Sequence, residues 1–165
     1  MAIWVCRTGL NGQFEELFLS SNIVCLTREG YNLNLLDSGK DDVLNIIEGL
    51  NPGAAKQTIS NTWSQIDIFA NRMQVGDIVI IPKKRSYLVS VGIVTGNYEY
   101  DESKPFPLNH SRTISILKTG IDTQKFPKDI FYSLGAFRTI FEIKQEKRLK
   151  EILSQKGVVF DEIQI

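Results

Sequence analysis

The residues of this chain best suited to chemistry at a ligand are Trp4, Arg7, Tyr98, Tyr100, His110 and Arg112, together with the cluster Lys83-Lys84-Arg85. Aromatic rings stack on nucleobases, and guanidinium groups take phosphate oxygens two at a time. Tyr98 and Tyr100 are two positions apart, so a strand that carries them presents both rings on one face. Each residue also has a purely structural alternative. Trp4 is equally suited to the core, the two tyrosines to a hydroxyl-anchored edge of it. Arg7 and Arg112 could pair with Asp77, Glu99 or Asp101. Trp63 lies on the apolar stripe of a helix, which favours packing over a pocket wall. Cys25 is a second candidate wall.

Catalytic constellations are weaker. His110 is the only histidine, without a neighbouring base or nucleophile, and a structural hydrogen bond or phosphate contact suits it better than acid–base work. Asp129 with Glu142-Ile143-Lys144 mimics the D…ExK pattern of Mg²⁺-dependent restriction nucleases. That chemistry needs both carboxylates on adjoining strand ends, where they hold the metal and activate water. Here Asp129 follows Pro127 into a helix and Glu142 ends a closing strand, so a nuclease is the second reading, not the first. A module for protein partners or a small ligand is the third. Cys6 and Cys25 stand far apart without a CxxC motif, which argues for buried thiols and against a metal site. No cofactor is expected.

The positions of these residues depend on a chain of 165 residues with 42% hydrophobic and 23% charged content, the size and composition of one globular domain. Nineteen basic residues balance nineteen acidic ones, which argues against a whole surface that tracks duplex phosphate but leaves room for a local basic face. No apolar run reaches the ~20 residues that span a bilayer, and the N-terminus lacks signal-peptide anatomy, so a cytoplasmic protein without membrane contact is expected.

The most informative segment is Val75 to Tyr100. Two β-branched runs, Asp77–Pro82 and Ser86–Thr95, flank the basic turn and predict a hairpin. Strands are also predicted at Ala2–Arg7, Asn22–Thr27, His110–Lys118 and Arg138–Ile143, with a strand-like tail after Gly157. Helical spacing appears at Gln13–Leu19, from Lys40 to Leu50, from Ala54 to Arg72, from Pro127 to Leu134 and at Gln145–Gln155. Gly30–Gly39 reads as a loop. Strands interrupted by helices without βαβ alternation predict an α+β fold with a curved mixed sheet. Asp77 is expected to fix the turn into its strand through backbone N–H groups.

Five fragments, taken in order, carry a resemblance: Trp4-x-x-Arg7-x-Gly9-x-x-Gly12, Gly76-Asp77, Gly92-x-x-x-Gly96-x-Tyr98-x-Tyr100, His110-x-Arg112, and Ser133-Leu134-Gly135-Ala136 with Thr139. The order resembles the N-terminal domain of Mrr-type restriction endonuclease proteins, which is similar to the PUA-like superfamily with its EVE and YTH domains. The resemblance implies a PUA-like pseudo-barrel of about six strands over residues 1–143, with 144–165 a helix and tail that pack on it or lead to a partner. It implies a non-catalytic module that binds nucleic acid, DNA rather than RNA, in a restriction or phage-defence setting with a fused or associated nuclease. It further implies that a base, modified or not, swings into an aromatic pocket. This chain departs from those relatives in lacking two tryptophans, one after the second strand and one near Ile116.

Overall fold

The structure, a computed structural model, describes residues 1–160. The first strand, β1 (Ile3–Cys6), is buried along its whole length. Helix α1 (Glu15–Ser21) leads into β2 (Ile23–Cys25), and a long irregular loop reaches α2 (Lys40–Leu50) and α3 (Lys56–Asp67). One π-helical turn, Ile68–Arg72, continues α3. The hairpin follows as β3 (Ile78–Pro82) and β4 (Leu88–Val94), then the short β5 (Glu99–Tyr100) and the 13-residue β6 (His110–Asp122). Helix α4 (Lys128–Leu134), β7 (Ile140–Ile143) and α5 (Glu146–Gln155) complete the described chain.

The fold is α+β. One mixed sheet runs in the order β2-β6-β4-β3-β1-β7, with β5 paired to β6. Only β1 and β3 are parallel, Ile3 beside Ile78 and Val5 beside Ile80; the other pairs are antiparallel. Curvature comes from β6. Its first residues pair with β2 and β5, its remainder with β4, and the β4–β6 ladder slips register on both sides of Val91. A bulged, shared strand bends the sheet into a half-barrel. Gly92 sits where this bend brings backbones together: a Cβ there would lie 2.9 Å from the Ser115 carbonyl oxygen.

The central strands are buried on both faces, which their unbroken apolar runs dictate. On β1 and β3, Trp4, Cys6, Val79 and Ile81 point toward α2, α3 and the π turn, where they meet Ile47, Ile66, Phe69 and Met73. Ile3, Val5, Ile78 and Ile80 point the other way, against Ile130 of α4 and Leu149 and Leu153 of α5. α5 is therefore part of the second core layer.

Beyond shifts of a few residues at element ends, three differences from expectation stand out. The helix predicted as one piece to Arg72 changes to π geometry at Ile68, where Ile68, Phe69 and Ala70 are all buried. A helix with consecutive buried residues cannot turn them all to one side at 3.6 residues per turn, and widening keeps them inside. β6 runs on to Asp122, beyond the predicted Lys118, because β4 offers partners as far as Leu88. After Gly157, Val158 to Phe160 form no strand; the rest of the predicted terminal strand lies outside the described residues.

Candidate functional site

The hairpin brings the sequence-derived candidates into two separate groups. Its basic turn lies at one end of β4 and the two tyrosines follow the other end. A seven-residue strand separates them, roughly 20 Å at 3.3 Å per residue. The expected single footprint is corrected accordingly: turn and tyrosines do not share a mouth.

At the tyrosine end the candidates are interior. Tyr98, His110 and Arg112 are all buried, and Tyr100 is half-buried. His110 Nε2 lies 2.6 Å from the Tyr31 carbonyl oxygen. A carbonyl only accepts, so Nε2 carries the proton and donates. Nδ1 is then free to accept from the Tyr98 hydroxyl at 2.6 Å. That hydroxyl in turn accepts from the Leu35 backbone N–H at 3.2 Å. Burial pulls the His110 imidazole below its ordinary value and pushes the Tyr98 phenol up to about 12. This chain of bonds fastens the loop ahead of α2 to the sheet. Tyr100 stacks at a tilt on the His110 ring, centroids 4.8 Å apart.

Arg112 donates from Nε to the Phe69 carbonyl at 2.7 Å, from Nη2 to Ala70 and from Nη1 to Gly96, both at 3.2 Å. Those first two carbonyls belong to the π turn. A helix end leaves carbonyls unpaired and carries partial negative charge, and a buried guanidinium answers both needs. Burial draws the Arg112 guanidinium down from its ordinary value. Trp4 is buried, and its indole Nε1 donates to Asp77 Oδ2 at 2.8 Å. Asp77 also accepts from the backbone N–H groups of Gln74, at 2.9 Å, and Ala2, at 3.1 Å. The aspartate holds a turn and two strands together, as its position after Gly76 suggested.

The turn end is open. Lys83, Lys84 and Arg85 form one rim of a groove of about 630 Å³ whose other walls come from Arg7, the start of β4, Thr123 and α4. Arg7 donates to the Leu134, Ala136 and Arg138 carbonyls at 2.9–3.1 Å, tying down the end of α4; its Nη1 has no bond among the described residues. Burial lowers the Arg7 guanidinium from its ordinary value. None of the described lining residues is acidic. Gly12 (φ +68°) lets the loop before α1 press against the turn: a Cβ there would lie 2.5 Å from Lys84 Cβ.

Three aromatic residues that the sequence reading passed over line the same groove. Tyr87 and Tyr132 are 53% and 69% exposed, and Phe131 lies between them, its centroid 5.8 Å from Tyr87 and 5.9 Å from Tyr132. Two hydrogen bonds from Thr123 to the Tyr87 carbonyl fix the base of this ladder. A signal existed. Adjacent Phe131 and Tyr132 on a short helix point about 100° apart, so both cannot enter the core.

Trp63 does line open space. It borders a groove of about 460 Å³ between α2 and α3 and also a recess of about 200 Å³ with Ser38, Asp67 and Asn71. The Lys40 ammonium sits 4.1 Å from the Trp63 ring centroid. Cys25 is buried, its thiol pushed up to about 12 by burial, as is that of Cys6; neither is a reactive nucleophile.

Two of the three nuclease-like residues carry ion pairs. Asp129 takes Arg148 through both oxygens, at 2.6 and 3.0 Å, and Glu142 faces Arg72 at 3.8 Å. Among the described residues no group of three or more His, Cys, Asp or Glu is placed to hold a metal ion. No helix among them is long and apolar enough to cross a membrane.

A family model described as a domain of unknown function (DUF8426) matches residues 11–144. The chain belongs to the DUF8426 family. The matched stretch holds the basic turn, Tyr87, Phe131, Tyr132, Trp63 and the His110 network, while Arg7 and α5 lie outside it. No curated protein matches the chain.

Proposed function

We propose that this domain is a non-catalytic nucleic-acid-binding module. The observation that carries the reading is the groove at the hairpin turn. In a chain whose charges cancel, it gathers Arg7, Lys83, Lys84 and Arg85 without a described carboxylate, beside two exposed tyrosines. Cations answer phosphate, and rings answer bases. The interior placement of Trp4, Tyr98, His110 and Arg112 assigns those residues to the frame at the opposite end of β4.

Recognition of a single extruded base, modified or not, fits the recess beside Trp63. An aromatic wall recovers the stacking lost on extrusion, and Asp67, Asn71 and Ser38 offer hydrogen bonds to a base edge. The resemblance to Mrr-type N-terminal domains supports DNA as the target and a nuclease as companion. Free, buried Cys6 and Cys25 suit a reducing cytoplasm.

Titration of labelled oligonucleotides by fluorescence anisotropy tests the reading. Binding at low salt that weakens steeply as salt rises is expected; no binding at low salt to single strands or duplexes, methylated or plain, removes it. A second reading, a small-ligand site, rests on the α2–α3 groove, where Lys40 covers the Trp63 ring.

A further inference from the structure

The groove at the hairpin turn has a geometry that selects the strand state of its ligand. We infer that it binds an unpaired strand, with phosphates along Lys83–Arg85 and successive bases laid on Tyr132, Phe131 and Tyr87. This rests on the nucleic-acid reading above and goes beyond it in naming the strand state and the residues that hold it.

Three observations carry the inference. The rings form a continuous ladder, but their centroids are 5.8 and 5.9 Å apart and their planes are inclined by 39° and 63°. Paired bases cover one another's faces at ~3.4 Å per step, so a duplex has no free base face to lay on these rings. An unpaired strand can, because each base finds its own ring. Second, the rings reach into a concavity rather than standing on a flat or convex face. A duplex offers its phosphates outward and hides its base faces, which would leave Tyr87 and Tyr132 exposed and unused. Third, the cations are few, Lys83, Lys84 and Arg85 at the rim and Arg7 on another wall, enough for two or three phosphates of a single strand and too few for a duplex in a chain of zero net charge. An acidic polypeptide would satisfy the cations and leave the ladder without partners.

The test compares a labelled unpaired octamer of thymidine with a mixed-sequence duplex of equal length, by anisotropy over a salt series. The octamer is expected to bind tighter. With about three phosphates neutralised, its log affinity falls with a slope of about −2 against log salt. Tyr132→Ala weakens it about tenfold at unchanged slope, and Tyr132→Phe restores it. Lys84→Ala makes the slope shallower by about 0.7. These side chains are exposed, so the variants fold.

Duplex binding as tight as octamer binding overturns the strand assignment and leaves the nucleic-acid reading standing. So does octamer binding that ignores Tyr132→Ala and Tyr87→Ala, which places the site elsewhere. If neither oligonucleotide binds at low salt, both fall. Binding of poly-glutamate alone then assigns the groove to an acidic protein partner.

Discussion

The Tyr98 hydroxyl lies 2.6 Å from His110 Nδ1, a bond that a neutral imidazole accepts while its Nε2 donates to the Tyr31 carbonyl. The loop before α2 is thus tied to the sheet by a group that burial holds below its ordinary value.

Stability therefore depends on pH with a definite sign. The unfolded histidine has its ordinary value of 6.5, and burial lowers the folded one. Between the two, the unfolded chain binds more protons, so stability rises with pH there. The contribution is complete above 6.5 and is lost as pH falls toward the folded value, at up to about 1.4 kcal/mol per pH unit. Melting temperatures taken from pH 8 to pH 5 should hold steady and then fall below 6.5. A flat profile would show that the imidazole is free to charge in the fold.

Asp77→Ala should cost more than Trp4→Phe. The first strands three donors, the Trp4 indole and two backbone N–H groups, each worth about 1–3 kcal/mol when left buried and unpaired. The second leaves the aspartate two of its partners. Urea denaturation of both variants orders them; equal midpoints would contradict the network.

Arg112→Lys should destabilise by about 3 kcal/mol despite keeping the charge. An ammonium cannot span the Phe69, Ala70 and Gly96 carbonyls that the guanidinium holds. Oligonucleotide affinity of the folded fraction should not change. A drop in affinity without a drop in stability would return Arg112 to the binding surface.

Gly12→Ala should weaken oligonucleotide binding without removing any contact to the ligand. Its backbone is left-handed, a strain of about 1–2 kcal/mol for alanine, and the new methyl drives into Lys84. Anisotropy at low salt beside a thermal melt separates the two effects. Unchanged affinity would mean that the turn does not depend on the loop before α1.

DNA incubated with Mg²⁺ or Mn²⁺ should remain intact, with wild type and Asp129→Ala alike, because both oxygens of Asp129 are engaged by Arg148. Cleavage that Asp129→Ala abolishes would restore the nuclease reading.

The hairpin, the helices α2 and α5 and the mixed sheet were legible because β-branched runs and apolar stripes report local geometry directly. The site was legible in part. Lys83–Arg85 announced an exposed cationic turn, but Trp4, Tyr98, His110 and Arg112 carry the same residue types inside and outside a protein. Their roles were set by partners up to 79 positions away, as with Tyr31 and His110, and pairings of that range leave no periodic mark. Tyr87 was hidden inside the β-branched run Ser86–Thr95, and Phe131 and Tyr132 stand in a helix too short to show an apolar stripe.

The parallel contact between β1 and β3 bears on how this chain comes into being. Ile3 lies between Ile78 and Ile143, so β1 is sandwiched between strands that emerge much later than it does. Until β3 has left the ribosome, the run Ile3-Trp4-Val5-Cys6 has neither neighbour, and until β7 follows it has only one. Such distant pairing slows folding and leaves an apolar, strand-forming segment open to chance association. Assembly of the sheet's centre thus waits for β7, and nascent β1 is the segment a chaperone would be needed to shield.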